Sequence, residues 1–102
     1  MFTLIYNEGQ LNRPSTMLGF LQANAGKSPL LQVDCVTPFK GTEHELIQMV
    51  CEHLNHVDSR YEVTYNVTQN CSTEQNAEGF FVKYLVIQVF VKELYQSEST
   101  EK

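Results

Sequence analysis

Basic residues are scarce in this sequence of 102 residues, which has seven Lys and Arg against twelve Asp and Glu and a formal net charge of -5. Between positions 41 and 80 the only Lys or Arg is Arg60. Phosphate contacts need clusters of Lys and Arg, so the sequence disfavours specific nucleic-acid binding. An acidic face can meet a basic protein, or it can simply keep the chain soluble. The residues of the candidate acidic face are Glu43, Glu45, Glu52, Glu74 and Glu78.

The sequence also lacks long hydrophobic runs, and its number of cysteines is not even, as complete pairing in disulfides would require. The longest apolar run, FFVKYLVIQVFV, is shorter than a membrane helix requires and contains a lysine and a glutamine. The first residues, MFTLIYNEGQ, have no basic segment followed by a long apolar one, so no signal peptide is predicted. Cys35, Cys51 and Cys71 are odd in number and widely spaced, which is typical of free thiols in a reducing compartment. We therefore expect a soluble protein with no membrane partner.

Motifs for catalysis or cofactor binding are lacking too. The five glycines are scattered and form no phosphate-binding loop. Cys51, His53 and His56 resemble a set of metal ligands in linear order, but at about 100° per residue Cys51 and His53 lie on different sides of a helix. Only His53 and His56 share a face, whereas a structural zinc site needs four ligands. Cys35 alternates with apolar residues, as a small core residue does. We predict no metal, no cofactor and no catalytic residue, and a protein that is not an enzyme.

The N-terminal part of the chain contains one clear strand and one ambiguous segment. FTLIY at 2–6 is typical of a short strand, and NEGQLNRP at 7–14 is typical of a loop. The segment MLGFLQANA at 17–25 fits either a short helix or the first strand of a hairpin. We favour the hairpin, because Gly19 is costly in so short a helix and a glycine-containing loop follows.

The middle of the chain predicts a strand followed by a helix. LLQVDCV at 30–36 alternates like a strand, and Pro38 is expected to end it. Thr42, followed three residues later by Glu45, forms a capping box that opens a helix. The helix is expected to run to about position 57, since apolar residues recur there at helical spacing. These apolar residues are Leu46, Ile47, Val50, Leu54 and Val57.

The remainder predicts a hairpin and a tail. RYEVTYNVTQ at 60–69 alternates like a strand with one wet face, and GFFVKYLVIQVFVKELY at 79–95 is a longer strand. The polar residues between them are expected to form a loop. A disordered tail at 97–102 is expected to follow a single domain at 1–96. The predicted fold class is α+β, with a mixed or antiparallel sheet of four to five strands, one main helix packed on one face, and a long C-terminal β-hairpin.

Both faces of the last strand are apolar, which is its most informative feature. One face carries Phe81, Leu85, Ile87, Val89 and Val91. The other carries the residues that we predict to form a subunit or partner interface: Phe80, Val82, Tyr84, Val86 and Phe90. A strand that is apolar on both faces needs a covering layer on each side. One helix supplies one layer, so either the N-terminal segment folding back or another subunit must supply the second.

Several stretches in order along the chain resemble the phage tail-terminator-like proteins, which are small virion subunits at the head-proximal end of a tail. The matching pieces are IYNEG at 5–9, NRP at 12–14, LLQVDCVTPFKGTEHEL at 30–46 and the closing strands at 60–69 and 79–94. The most specific part is LLQVDCVTPFKGTE, and it is a structural pattern, not a chemical one. Such proteins usually begin with a helix, whereas this sequence begins on the strand.

The resemblance implies a non-catalytic virion subunit, a tail terminator or tail-completion protein, that assembles into a ring at the head–tail junction. The ring would be a homo-oligomer, typically a hexamer, in contact with other virion proteins, and the subunit would be found in the virion or in the host cytoplasm during assembly. The acidic residues allow a second reading. In that reading the chain is a small protein-binding inhibitor, such as an immunity protein, an antitoxin or a phage anti-defence protein, that acts on a basic partner.

Overall fold

The computed structural model of the chain describes residues 1–11, 13–77 and 79–94. These residues form four strands, β1 (Phe2–Tyr6), β2 (Leu30–Phe39), β3 (Tyr61–Asn76) and β4 (Gly79–Glu93), and two helices, α1 (Pro14–Ala23) and α2 (Glu43–Asn55). The predicted α+β class with a mixed sheet is confirmed. Glu78, Tyr95 and the predicted tail at 97–102 lie outside the described residues.

The sheet has the strand order β1-β2-β4-β3, so β4 lies between two strands that precede it in the chain. β1 pairs with β2 in parallel, and α1 connects the two. β4 pairs antiparallel with β2 on one side and with β3 on the other. This arrangement leaves β1 and β3 as the edges of the sheet.

The ambiguous segment at 17–25 belongs to α1, so the favoured hairpin is wrong. Pro14 occupies the first turn, where its fixed φ and missing N–H suit a helix start. The helix buries three apolar side chains at i, i+3 and i+4: Met17, Phe20 and Leu21. Burial contributes about 1.5–3 kcal/mol for each large apolar side chain. This outweighs the roughly 1 kcal/mol that a glycine such as Gly19 costs inside a helix.

The capping box that opens α2 is confirmed. The Thr42 hydroxyl accepts a hydrogen bond from the Glu45 backbone N–H at 3.1 Å, and the Glu45 carboxylate accepts one from the Thr42 N–H at 2.8 Å. The helix ends at Asn55, two residues before the predicted end. In contrast, β2 does not stop before Pro38 but continues to Phe39. Its pairing with β4 is irregular in this part, and a proline, which has no N–H to donate, is tolerated at such irregularities.

The predicted polar loop between the last two strands is wrong, because β3 continues through it to Asn76. Asn76 pairs with Gly79, so only two residues join the strands. Apart from one bulge, the polar residues of this stretch pair in register with the apolar N-terminal half of β4. Cross-strand pairing therefore decides the structure here, and the polar composition reflects only that many of these side chains are exposed.

The hydrophobic core lies on one face of the sheet only. Leu4, Leu31, Val33 and Ile87 are fully buried and share this face through the pairing register. The buried side chains of both helices belong to the same core cluster, and the ring of Phe2 stacks on that of Phe20 at 4.6 Å. Both helices therefore form a single layer over one face.

The β3–β4 hairpin makes the molecule elongated. Its extents are 59 × 23 × 19 Å and its radius of gyration is 14.8 Å, against about 13 Å for a compact domain of this length. β2 ends at Phe39, which pairs with Val82. The hairpin continues past this point as residues 73–76 and 79–81, which we call the arm.

Candidate interaction surface

The second face of the sheet has no covering layer among the described residues. The N-terminal segment does not supply one, because β1 lies at the sheet edge and α1 packs on the same side as α2. Of the two coverings that the sequence allowed, folding back of the N-terminal segment is therefore wrong. We call the uncovered surface the open face. In β2 and β4 it consists of Leu30, Gln32, Asp34, Tyr84, Val86, Gln88 and Phe90.

A bulge at Lys83 changes which β4 residues belong to the open face. Ser72 pairs with Tyr84 and Thr73 with Val82, so β4 has one extra residue at this point. Directly paired residues share a face. Tyr84 therefore lies on the open face, whereas Val82 lies on the helix side and is only 1% exposed.

Of the five predicted interface residues, Tyr84, Val86 and Phe90 lie on the open face and are partly exposed. The placement of Val82 is wrong, because the bulge turns it into the core. Phe80 pairs with Gln75 and lies on the same side as Val82. Strict alternation predicts that Phe80 and Tyr84 share a face. In the structure they lie on opposite faces.

The open face has little charge for a chain with a net charge of -5. Near its centre is Asp34, whose carboxylate accepts a hydrogen bond from the Gln32 side chain at 2.6 Å. Toward the C-terminal end of β4, Glu62 and Lys92 stand opposite each other in the register. Depletion of charge combined with half-buried apolar side chains is typical of the centre of a protein interface.

Polar side chains on the open face have partners inside the protein. Tyr84 accepts a hydrogen bond at its hydroxyl oxygen from the Asn70 side chain at 3.1 Å. Gln88 donates to the Ser28 carbonyl at 2.9 Å. Because these groups are already bonded, another protein can cover this part of the face without leaving them unpaired.

The arm carries one large apolar side chain into solvent. Phe80 is 69% exposed, since it projects from the helix side of the hairpin at a point that neither helix covers. On the other face of the arm, Glu74 pairs with Phe81 in the register and forms an ion pair with Lys83 at 2.8 Å. Phe80 is therefore an exposed apolar knob, and the one described charged residue of the arm is already paired.

The acidic residues do not form one continuous face. Glu43, Glu45 and Glu52 lie on α2, whereas Glu74 lies on the arm. The Glu45 carboxylate is part of the capping box, and that of Glu74 is paired with Lys83. Glu52 is exposed and has no structural partner of this kind. Two of these four carboxylates, those of Glu45 and Glu74, thus have a local structural role.

The free edge at β3 is protected by a side chain that the sequence gave no reason to single out. Asn55, the last residue of α2, accepts a hydrogen bond at its side-chain oxygen from the Val63 N–H at 2.6 Å and donates from its amide nitrogen to the Val63 carbonyl at 3.1 Å. It thereby imitates a neighbouring strand at this position. Bulges interrupt β3 further along. Both features disfavour pairing of this edge with another chain.

Two of the cysteines and two of the histidines are held by burial or by hydrogen bonds within their own helix. Burial raises the pKa of Cys35 and of Cys51 to about 11, so neither is a ready nucleophile. Each of two histidines uses its Nδ1 for a carbonyl of its own helix, His53 for Met49 and His56 for Glu52, both at 2.8 Å. Among the residues that the structure describes, no group of three or more His, Cys, Asp or Glu is placed to hold a metal ion.

Cys35 and Cys71 lie in β2 and β3, which are separated in the sheet by β4, and both thiols are free.

Comparison of the chain with protein-family models, with curated proteins and with solved structures gave no significant match. Neither of the two described helices has the length and apolar character needed to cross a membrane. The open face and the arm are therefore the features of this chain that bear on its function.

Proposed function

We propose that this chain is a non-enzymatic structural subunit of a phage virion, a tail terminator or tail-completion protein that assembles into a ring at the head–tail junction. Its partners are further copies of itself and other virion proteins. It acts in the virion, or in the host cytoplasm during assembly. The resemblance of the segment from Leu30 to Leu46 to such proteins suggests the class of protein.

The observation that carries this proposal is the open face. A sheet with apolar side chains on both faces and helices on one of them leaves Val86 and Phe90 only partly buried. Single exposed hydrophobic residues are ordinary, but a grouped set on a charge-depleted surface marks an interaction site. In an assembly, a neighbouring subunit covers this face and supplies the missing layer.

Native mass spectrometry of the purified protein, combined with negative-stain imaging, tests the proposal. We expect one defined oligomer at micromolar concentration and ring-shaped particles. The family resemblance implies six copies of the chain in each ring. A strict monomer at all concentrations up to about 100 µM contradicts the proposal, because this concentration is well above the dissociation constants of stable interfaces.

A second candidate function is a small acidic inhibitor that binds one basic protein partner. The observation in its favour is Glu52, an exposed carboxylate on α2. Electrostatic complementarity of this kind makes binding sensitive to salt. A monomer in native mass spectrometry, with salt-sensitive binding to a basic partner that Glu52→Gln weakens, favours this function over the virion subunit.

A further inference from the structure

The geometry points to a head-to-tail contact between copies of this chain. We infer that the arm of one copy, led by Phe80, docks on the open face of the next copy. The inference rests on the proposed function, because it specifies how one ring subunit holds its neighbour. It commits to a second copy of this chain as the occupant of the open face.

The two surfaces lie on different parts of the molecule and on opposite sides of the sheet. Phe80 is on the helix side of the arm, beyond the helices, whereas Val86 and Phe90 are on the open face. An exposed knob and a separate apolar surface on one chain form a heterologous contact, which repeats from copy to copy and closes into a ring where the rotation allows. Pairing of two open faces with each other forms only a two-fold dimer.

The distribution of charge favours a second copy over a foreign charged partner. Copies with a net charge of -5 repel one another, so they can meet only where local charge is low or balanced. The arm meets this condition, because its one described charged residue, Glu74, is paired with Lys83. The open face carries little charge, because Glu62 stands opposite Lys92 in the register and Asp34, whose partner Gln32 is neutral, contributes one negative charge. Among the described residues, neither surface carries a cluster of like charges that would attract a strongly basic or acidic partner.

The free sheet edge at β3 is a poorer site for the same contact. The Asn55 side chain occupies the backbone groups of Val63, and bulges break the regularity of the strand. Strand addition needs an unobstructed run of backbone donors and acceptors. The open face is therefore better suited to the arm than the β3 edge is.

The test uses two variants that each remove one side of the contact. Phe80→Ser removes the knob, and because Phe80 is 69% exposed the fold should not change. Val86→Glu places a charge on the open face. Tyr65→Ser is the matched control, because it removes a 41% exposed aromatic residue at the opposite, helix-facing side of β3. Circular dichroism and thermal melting verify the fold, and Val86→Thr replaces Val86→Glu if the latter does not fold.

Light scattering after size-exclusion chromatography measures the assembly of each variant alone and of an equal mixture. We expect the wild type and Tyr65→Ser to form the same oligomer, and Phe80→Ser and Val86→Glu each to associate about thirtyfold more weakly or worse, as for loss of an interface hot spot. Mixed together, these two variants should form 1:1 dimers. The intact arm of the Val86→Glu chain can dock on the intact face of the Phe80→Ser chain, but neither chain can extend the assembly.

Three results overturn the inference while the proposed function survives. These are a Phe80→Ser oligomer identical to the wild type, a mixture of the two variants that remains monomeric, and loss of assembly in Tyr65→Ser as well. A wild-type protein that is itself monomeric, whether because another part of the chain covers the open face or because nothing does, overturns the proposed function and the inference together.

Discussion

Removal of the Asn55 side chain tests how much its hydrogen bonds to the edge strand β3 contribute to stability. Two hydrogen bonds join this side chain to the backbone of Val63, at 2.6 Å and 3.1 Å. A typical intramolecular hydrogen bond contributes about 0.5–1.5 kcal/mol net. Asn55→Ala should therefore lower the free energy of unfolding by about 1–3 kcal/mol, a large share of the stability of a small domain.

Urea unfolding followed by circular dichroism measures this loss, at protein concentrations where the midpoint does not depend on concentration. Native-state hydrogen exchange provides a local reading, since the Val63 amide should exchange faster in the variant even under conditions that leave the fold intact. Asn24→Ala is the matched control, because the Asn24 side chain donates a single hydrogen bond, to the Phe20 carbonyl at 2.8 Å. It should cost about half as much.

Asn55→Asp separates the two bonds. An aspartate oxygen can still accept from the Val63 N–H, but the side chain can no longer donate to the Val63 carbonyl. Its effect should lie between those of the wild type and Asn55→Ala. The reasoning is refuted if Asn55→Ala unfolds within about 0.5 kcal/mol of the wild type, a difference typical of surface positions, and its Val63 amide exchanges no faster.

Other residues yield predictions of the same kind. Thr42→Ala removes the cap of α2 and should cost about 1 kcal/mol in urea unfolding, whereas Thr42→Ser should be close to the wild type. Thiols with a pKa near 11, those of Cys35 and Cys51, should react with Ellman's reagent far more slowly at pH 8 in the native protein than in urea; equal rates contradict their burial. Because the raised pKa favours the neutral thiol, their contribution to stability should be lost as pH rises from about 8.5 through about 11. Hydrogen bonds from Arg60 lower the pKa of Asp58 to about 2. The small stabilisation by this exposed pair should therefore be present above about pH 4 and be lost as pH falls through about 2. Acid titration of Asp58→Asn should lack this component, and an unchanged titration curve contradicts the assignment.

Local sequence signals identified the elements whose stability is local. The capping box and the apolar stripe of α2 are contained within one helix, and the alternation of 30–36 lies within one strand, so each was visible in the sequence. The segment around Gly19 was misjudged because its helix is stabilised by packing against other elements, including the ring of Phe2. Propensity within ten residues does not contain that information.

The candidate site was predictable in kind but not in detail. Two apolar faces on β4 correctly indicated that one helix layer leaves a face uncovered. The bulge at Lys83 has no signature in the sequence, because a lysine fits both a regular strand and a bulge. Strict alternation therefore placed Val82 on the open face and grouped Phe80 with the wrong side. Similarly, nothing in the sequence singles out Asn55, since its strand partner is known only once the fold is known.

The position of β4 in the sheet has a consequence for how the chain acquires its fold during synthesis. Its neighbours β2 and β3 both leave the ribosome before it does, and they do not pair with each other. Until residues 79–93 emerge, the nascent chain can form the β1–α1–β2 unit and α2. During this time β2 and β3 each have an apolar surface and an edge whose backbone groups lack their β4 partner. The interval before β4 inserts is therefore the time at which this protein is most prone to aggregate. A synonymous change that slows translation of β4 would lower the yield of native protein without changing its final stability.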